Sequence, residues 1–154
     1  MPRLHDDIKQ SKPFPTPEDE LFVQLLRTTD QLMHGLVAAL KPSDLSPEQY
    51  NVLRILRGAG KDGHPCGEIA GRMITRDPDV TRLIDRLEKR GLVERRRDDV
   101  DRRVVRVTIT NAGAKLIAPL DQQLIELHRA QLGHLGRRRI DDLIALLEAA
   151  RHHD

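Results

Sequence analysis

The spacing of apolar positions changes several times along the chain, and each change marks an element. Residues 1–17 show no period and are punctuated by Pro2, Pro13, Pro15 and Pro17. Each proline fixes φ and removes a backbone donor, so a flexible, extended N-terminal arm is expected there rather than a helix. From Glu18 onward Leu21, Phe22, Leu25, Leu26, Leu32, Met33, Leu36, Val37 and Leu40 recur at threes and fours. That spacing predicts one long helix over 18–40 with a broad apolar stripe, ended by Lys41-Pro42. "SPEQ" at 46–49 predicts the next helix start: Ser46 as N-cap, Pro47 in the first turn, and Gln49 able to reach back and close a capping box. This helix runs through Tyr50, Leu53 and Leu56 until the glycines of "GAGKDG" stop it, and a short helix, "CGEIAGRMI", follows Pro65.

In "DPDVTRLIDRLEKRG", residues 77–91, Val80, Leu83, Ile84 and Leu87 fall at i, i+3, i+4 and i+7. A helix over 78–90 buries that face, and the opposite face is centred on Arg82, Asp85 and Lys89, flanked by Asp79, Thr81 and Arg86. After Gly91 the period shifts to two. "LVERRR" reads as a short strand, "VVRVTI" at 104–109 as a second with Val105, Val107 and Ile109 on a buried face, and "DDVDRR" as a charged loop between them. Two short helices joined by a tight turn, then strand, loop and strand, describe a winged helix-turn-helix over 44–110. A helix from about Asn111 to Leu135, interrupted by Pro119, and another from Arg137 with Ile140, Leu143, Ile144 and Leu147 on one face complete the chain. The expected class is mainly α with a small β-hairpin wing, and there is no internal repeat.

Composition narrows this picture. A chain of 154 residues, 38% hydrophobic and 32% charged, can build one core and is short for two. Three terminal helices, over 18–40 and 111–154, carry more apolar surface than a small winged domain can cover by itself, which leaves dimerisation helices or an intramolecular bundle. Aromatics make up only 2% (Phe14, Phe22 and Tyr50), which leaves a core of Leu, Ile, Val and Ala and argues against a ring-lined enzyme pocket. No stretch approaches the ~18 to 20 apolar residues of a membrane span, and the N-terminus lacks the apolar core of a signal peptide, so a cytoplasmic protein is expected. The net charge is only +2, but residues 71–106 hold 12 Lys or Arg against 8 Asp or Glu, leaving 14 against 16 elsewhere. A basic patch on one segment is what a phosphate-binding surface requires.

Catalytic and metal chemistry find no pattern to rest on. Ser11, Ser43 and Ser46 lie in a linker or a cap, no glycine-rich phosphate loop exists, and most acids stand beside Arg or Lys as solvated ion pairs do. His34, His64, His128 and His134 show no i, i+4 pairing with a carboxylate in a metal motif, so no metal is expected. Cys66, the single cysteine, excludes an internal disulfide and a multi-thiolate zinc site. It falls at a predicted helix start, where partial positive charge favours a thiolate, but a small, half-buried residue is the default reading.

Four stretches, "LSPEQYNVLRIL", "EIAGRM", "VTRLIDRLEKRGLVERR" and "DVDRRVVRVTITNAG", together resemble the multiple antibiotic resistance regulator (MarR) family of bacterial winged-helix transcription factors, over about residues 20 to 150. The resemblance implies a symmetric homodimer interlocked through its N- and C-terminal helices, each subunit presenting a winged helix-turn-helix to double-stranded DNA. It implies no cofactor, but a small effector, often a phenolic or other anion, entering between the dimer helices and the DNA-binding lobes. With Tyr50 the only tyrosine and no tryptophan, the usual aromatic lining is thin here.

On this reading the helix beginning near Pro78 enters the major groove. Arg82 can contact guanine O6 and N7, and Asp79 either accepts from cytosine N4 or holds Arg82 in place, while Arg76, Thr81 and Arg86 suit phosphates. Arg102 and Arg103 sit on the wing. Asp101 and Arg103 match the family's Asp-x-Arg pattern, which implies an arginine aimed at the minor groove and an aspartate that braces it. The expected function is a ligand-responsive, sequence-specific repressor on an inverted-repeat operator. The alternative is a winged-helix module that binds a protein; it calls for apolar anchors on the exposed face, whereas Arg82, Arg86 and Arg103 suit an anionic duplex.

Overall fold

The computed structural model describes residues 4–76 and 79–152, the side chain of His5 excepted. Pro2, Pro78 and the last two residues, on which parts of the expected arm and helices fall, lie outside them. Eight α-helices and three strands follow in order among the described residues: α1 (Leu4–Asp7), α2 (Pro17–Leu40), α3 (Pro47–Ala59), β1 (His64–Pro65), α4 (Cys66–Arg72), α5 (Val80–Lys89), β2 (Val93–Arg97), β3 (Val105–Ile109), α6 (Asn111–Ile117), α7 (Leu120–Leu132) and α8 (Arg137–Arg151). The chain divides into two compact units, residues 1–35 and 36–154.

In the first unit the N-terminal arm is not wholly extended. Leu4–Asp7 form one helical turn with Leu4 buried, which the sequence permits because no proline falls between Pro2 and Pro13. Thr16 caps α2, its Oγ accepting from the Asp19 N–H at 3.2 Å and donating to the Asp19 carboxylate at 3.1 Å. Pro17 then occupies the first helical position, one residue before the expected start. Leu21, Phe22, Leu25 and Leu26 are exposed along α2.

The second unit is organised around α3. Val52, Leu53 and Leu56 are fully buried and share one cluster with Ile69, Ile84, Leu87, Val93, Val107 and Ile117, so helices before and after the hairpin close on the same core. The capping box forms as expected: the Gln49 N–H donates to Ser46 Oγ at 3.1 Å and the Ser46 N–H to Gln49 Oε1 at 3.0 Å. Ser46→Ala should therefore lose about 1 kcal/mol of stability. Thermal unfolding checks this, with a small drop in midpoint expected and no change in secondary structure.

The sheet has three strands, ordered β1-β3-β2 and antiparallel throughout, with Val93 opposite Ile109 and Arg97 opposite Val105 at the two ends of the hairpin. β1 is an addition to the expected hairpin. A two-residue strand containing a proline has no period to detect, and proline is tolerated there because β1 is an edge. Burial along β3 also departs from simple alternation: Val105 is exposed, whereas Val107 and Thr108 are both buried. β3 is the central strand, but β1 pairs only with Arg106 and Val107, so Val105 has a neighbour on the β2 side alone. At the base of the hairpin, Thr110 caps α6 by accepting from the Gly113 N–H at 3.1 Å and donates to the Gly91 carbonyl at 2.7 Å. A Cβ at Gly113 would lie 2.2 Å from the Leu92 carbonyl oxygen, which explains a glycine in the "TNAG" motif.

Pro119 splits the following helix into α6 and α7, as expected. Arg57 of α3 grips Asp121 of α7 through two parallel hydrogen bonds of 2.9 and 2.8 Å, and that contact holds the Asp121 carboxyl below its ordinary range. Leu120 and Leu124 reach the core, but no residue of α8 is buried, and Ile125, Leu143, Ile144 and Leu146 stand in solvent.

Candidate nucleic-acid interface

Periodicity correctly located the buried face of α5. Val80, Ile84 and Leu87 are buried and Leu83 half-buried, docking the helix on α3 and α4. Helical residues begin at Val80 with Asp79 as N-cap, its carboxylate accepting from the Arg82 N–H at 3.1 Å. The same carboxylate lies 3.1 Å from Arg82 Nε. In the free protein the aspartate thus restrains a guanidinium whose side chain is 70% exposed.

Thr81, Arg86 and Arg76 are also exposed, Arg76 in the turn before the helix. Thr81 Oγ1 lies 3.7 Å from Cys66 Sγ, joining the start of α5 to the start of α4; Cys66 is half-buried. The turn is pinned from beneath by Asn51 of α3, a buried side chain whose Oδ1 accepts from the Ile74 N–H at 2.8 Å. A buried asparagine in an apolar helix face was the only hint of this in the sequence.

The polar face of α5 is not a single surface. Asp85 and Glu88 both turn toward Arg95 of β2, at 2.5 and 3.2 Å. Asp85, expected at the centre of the exposed face, is thus part of a brace between helix and hairpin. Arg95 was missed because its partners lie 7 and 10 residues back on another element, beyond any local spacing rule. Arg90 likewise reaches from the end of α5 to the backbone carbonyls of Ser43 and Asp44, in the turn between α2 and α3.

On the wing, the Asp101 carboxylate receives the backbone N–H, Nε and Nη2 of Arg103, each at 3.1 Å. The Arg103 side chain contact, then its backbone N–H, holds the Asp101 carboxyl below its ordinary range. Arg103 remains 91% exposed, an aimed but unburied cation. Arg102 is exposed beside it, and its carbonyl accepts from Arg97 Nη1 at 2.9 Å. The residues singled out thus separate into two pre-set arginine–aspartate pairs, one on α5 and one on the wing, with exposed cations around them.

Apolar groups on these segments are few. Ile74 in the turn and Val100 at the wing tip are 78% and 96% exposed, but they are single side chains rather than a patch. Contrary to the spacing expected of the histidines, Asp30 and His34 do form an exposed i, i+4 pair, at 3.6 Å. Among the described residues no group of three or more His, Cys, Asp or Glu converges to hold a metal ion. No helix among them is long and apolar enough to cross a membrane.

A MarR-family sequence model matches residues 45–105, the segment that holds both pairs. A MarR transcription factor from Planctomyces limnophilus is 41% identical in its crystal structure, covering 89% of this chain and 99% of its own at a TM-score of 0.67. The chain belongs to the MarR family of transcription regulators. A mutant MarR from E. coli, complexed with operator DNA, is 26% identical over 84% of this chain and 92% of its own, at a TM-score of 0.76. Bordetella bronchiseptica BpsR, whose DNA binding is described as regulated by 6-hydroxynicotinic acid, shares the fold at a TM-score of 0.80 with 22% identity, over 93% of this chain and all of its own. The mainly helical winged architecture expected from the residues is therefore the family's, and the family consists of regulators rather than enzymes.

Proposed function

We propose that this MarR-family regulator acts as a homodimeric repressor on an inverted-repeat operator in the cytoplasm, with α5 in the major groove and the wing on the adjacent minor groove. The observation that carries the reading is the pair of exposed, carboxylate-held arginines, Arg82 and Arg103, on two elements that Arg95 braces together. A guanidinium fixed before binding loses less rotamer freedom when it meets a base edge. Arg82 reads guanine, with Asp79 as its support. Arg76, Thr81, Arg86 and Arg102 meet phosphates, and Arg103 enters the minor groove where A·T-rich sequence narrows it. Residues 18–40 and 111–154 form the dimer, and residues 44–110 the DNA-binding domain; the exposed apolar side chains of α2, α7 and α8 support that division. A small organic anion is the proposed effector, by analogy with the 6-hydroxynicotinic acid response described for BpsR.

Two-fold symmetry dictates the operator. Two recognition helices on one face of B-DNA place half-site centres about one helical turn, ~10 to 10.5 base pairs, apart. Selection of bound sequences from random duplex DNA should return an inverted repeat with that spacing. Recovery of a direct repeat or a lone half-site would contradict the dimer reading.

A further inference from the structure

The loop that carries Arg103 is organised by a residue that neither DNA nor the Asp101–Arg103 pair accounts for. Asp98 is the first residue after β2, and its N–H donates to the Val104 carbonyl at 2.9 Å, the rung that closes the wing loop. Its carboxylate is the least exposed acid of the loop's ion pairs, at 17% against 43% for Asp101. One oxygen accepts from Arg106 Nε of β3 at 2.5 Å, and the other accepts from the N–H groups of Val100 at 3.1 Å and Asp101 at 2.9 Å. Asp101, so placed, receives the Val104 N–H on its carbonyl at 2.9 Å and Arg103 on its carboxylate.

We propose that Asp98, anchored by Arg106, is a positioning residue for DNA recognition: it sets the Asp101 backbone so that the Asp101 carboxylate delivers Arg103 to the minor groove. The inference rests on the reading of Arg103 as the wing contact. A contiguous path supports it, running from Arg106 on the rigid central strand through the Asp98 carboxylate and the Asp101 N–H to the Asp101 carboxylate and Arg103. The ion pair has a second effect. Asp98, Asp99 and Asp101 place three acids in a loop that must approach phosphates, and Arg106 neutralises one of them. The N–H of Asp101 first, and Arg106 second, hold the Asp98 carboxyl below its ordinary range, so the pair is charged at neutral pH.

The sign of one substitution separates positioning from charge. Asp98→Ala removes a negative charge near DNA, so electrostatics alone would tighten binding to every sequence. Positioning gives the opposite result: full-length Asp98→Ala should bind the selected operator about tenfold more weakly, matching the loss in Arg103→Ala, with reduced preference for A·T over G·C at the wing site. In an Arg103→Ala background, the same Asp98 change should alter affinity by less than about twofold, because the group it aims is gone. Asp98→Asn, which keeps a side-chain oxygen for the loop N–H groups but loses the ion pair, should recover part of the A·T preference. It also serves should the alanine variant fail to fold.

Anisotropy titrations on operators with A·T or G·C wing sites give all of these values. The amide resonance of Asp101 in the free protein reports independently whether the loop has moved. Asp98 variants that bind as well as or better than wild type, or whose loss adds fully to that of Arg103→Ala, overturn the inference while leaving the wing reading intact. An Arg103→Ala protein that binds as wild type does overturns both.

Discussion

Deletion of residues 137–154 is expected to leave the protein dissociated or aggregated and unable to bind DNA at its native affinity. The chain leaves large apolar side chains on its terminal helices uncovered. α8 has no buried residue, and Leu143, Ile144 and Leu146 are between 43% and 67% exposed. α2 shows the same condition at Leu21, Phe22, Leu25 and Leu26, and α7 at Ile125. Large apolar side chains gain about 1.5–3 kcal/mol each on full burial, so several half-exposed ones supply a strong drive to associate. In the proposed dimer a second copy would offer identical faces, and a two-fold axis would bury both sets at once. Without α8, the proposed interface would lose a large share of its apolar surface. Sedimentation of the truncated and intact proteins tests this: a dimer is expected for the intact chain, and monomer or aggregate for the truncated one. A truncated chain that stays a soluble dimer of native DNA affinity would contradict the proposed architecture.

What could be read from residue order, and what could not, follows from the range of each interaction. The Ser46–Gln49 box and the stripe Val80, Leu83, Ile84 and Leu87 are made between residues three, four and seven apart, and both appear in the fold. β1 and α1 were invisible because two residues, or four, cannot establish a period. Thr108 was placed on the wrong side of the alternation because its burial depends on neighbours of the central strand rather than on β3 itself. Contacts that brace the site are longer-ranged still. Arg95 meets Asp85 across two elements, and Arg57 meets Asp121 from 64 positions away. The Asp101–Arg103 pair is local, but its meaning came from family resemblance rather than spacing. Asp98 lies in the same charged loop, yet nothing in that run of acids distinguishes it until Arg106 is seen beside it.

The second large effect concerns the two arginines, which should fail in different ways. Arg82→Ala should lose about 1 to 3 kcal/mol on the preferred operator and flatten base preference at one position in each half-site, since a bidentate base contact disappears. Loss of Arg103 should act on many sequences instead. Arg103→Ala should lower the salt dependence of binding by about one unit of slope and weaken A·T-rich wing sites most. Both proteins should fold normally, because neither side chain is buried: Arg82 is 70% and Arg103 91% exposed. Circular dichroism provides that control.

The central claim is that α5 and the wing are the DNA surface. The measurement that reaches it most directly is a salt-series titration of wild type, Arg82→Ala and Arg103→Ala against matched and mismatched operators. Wild type should bind tightly, with salt sensitivity and sequence selectivity; the first variant should lose selectivity at one half-site position, and the second should bind many sequences more weakly, A·T-rich wing sites most, with a shallower salt dependence. Folded variants that bind every operator as wild type does would contradict it, and would return the exposed faces of α5 and the wing to the alternative of a protein partner.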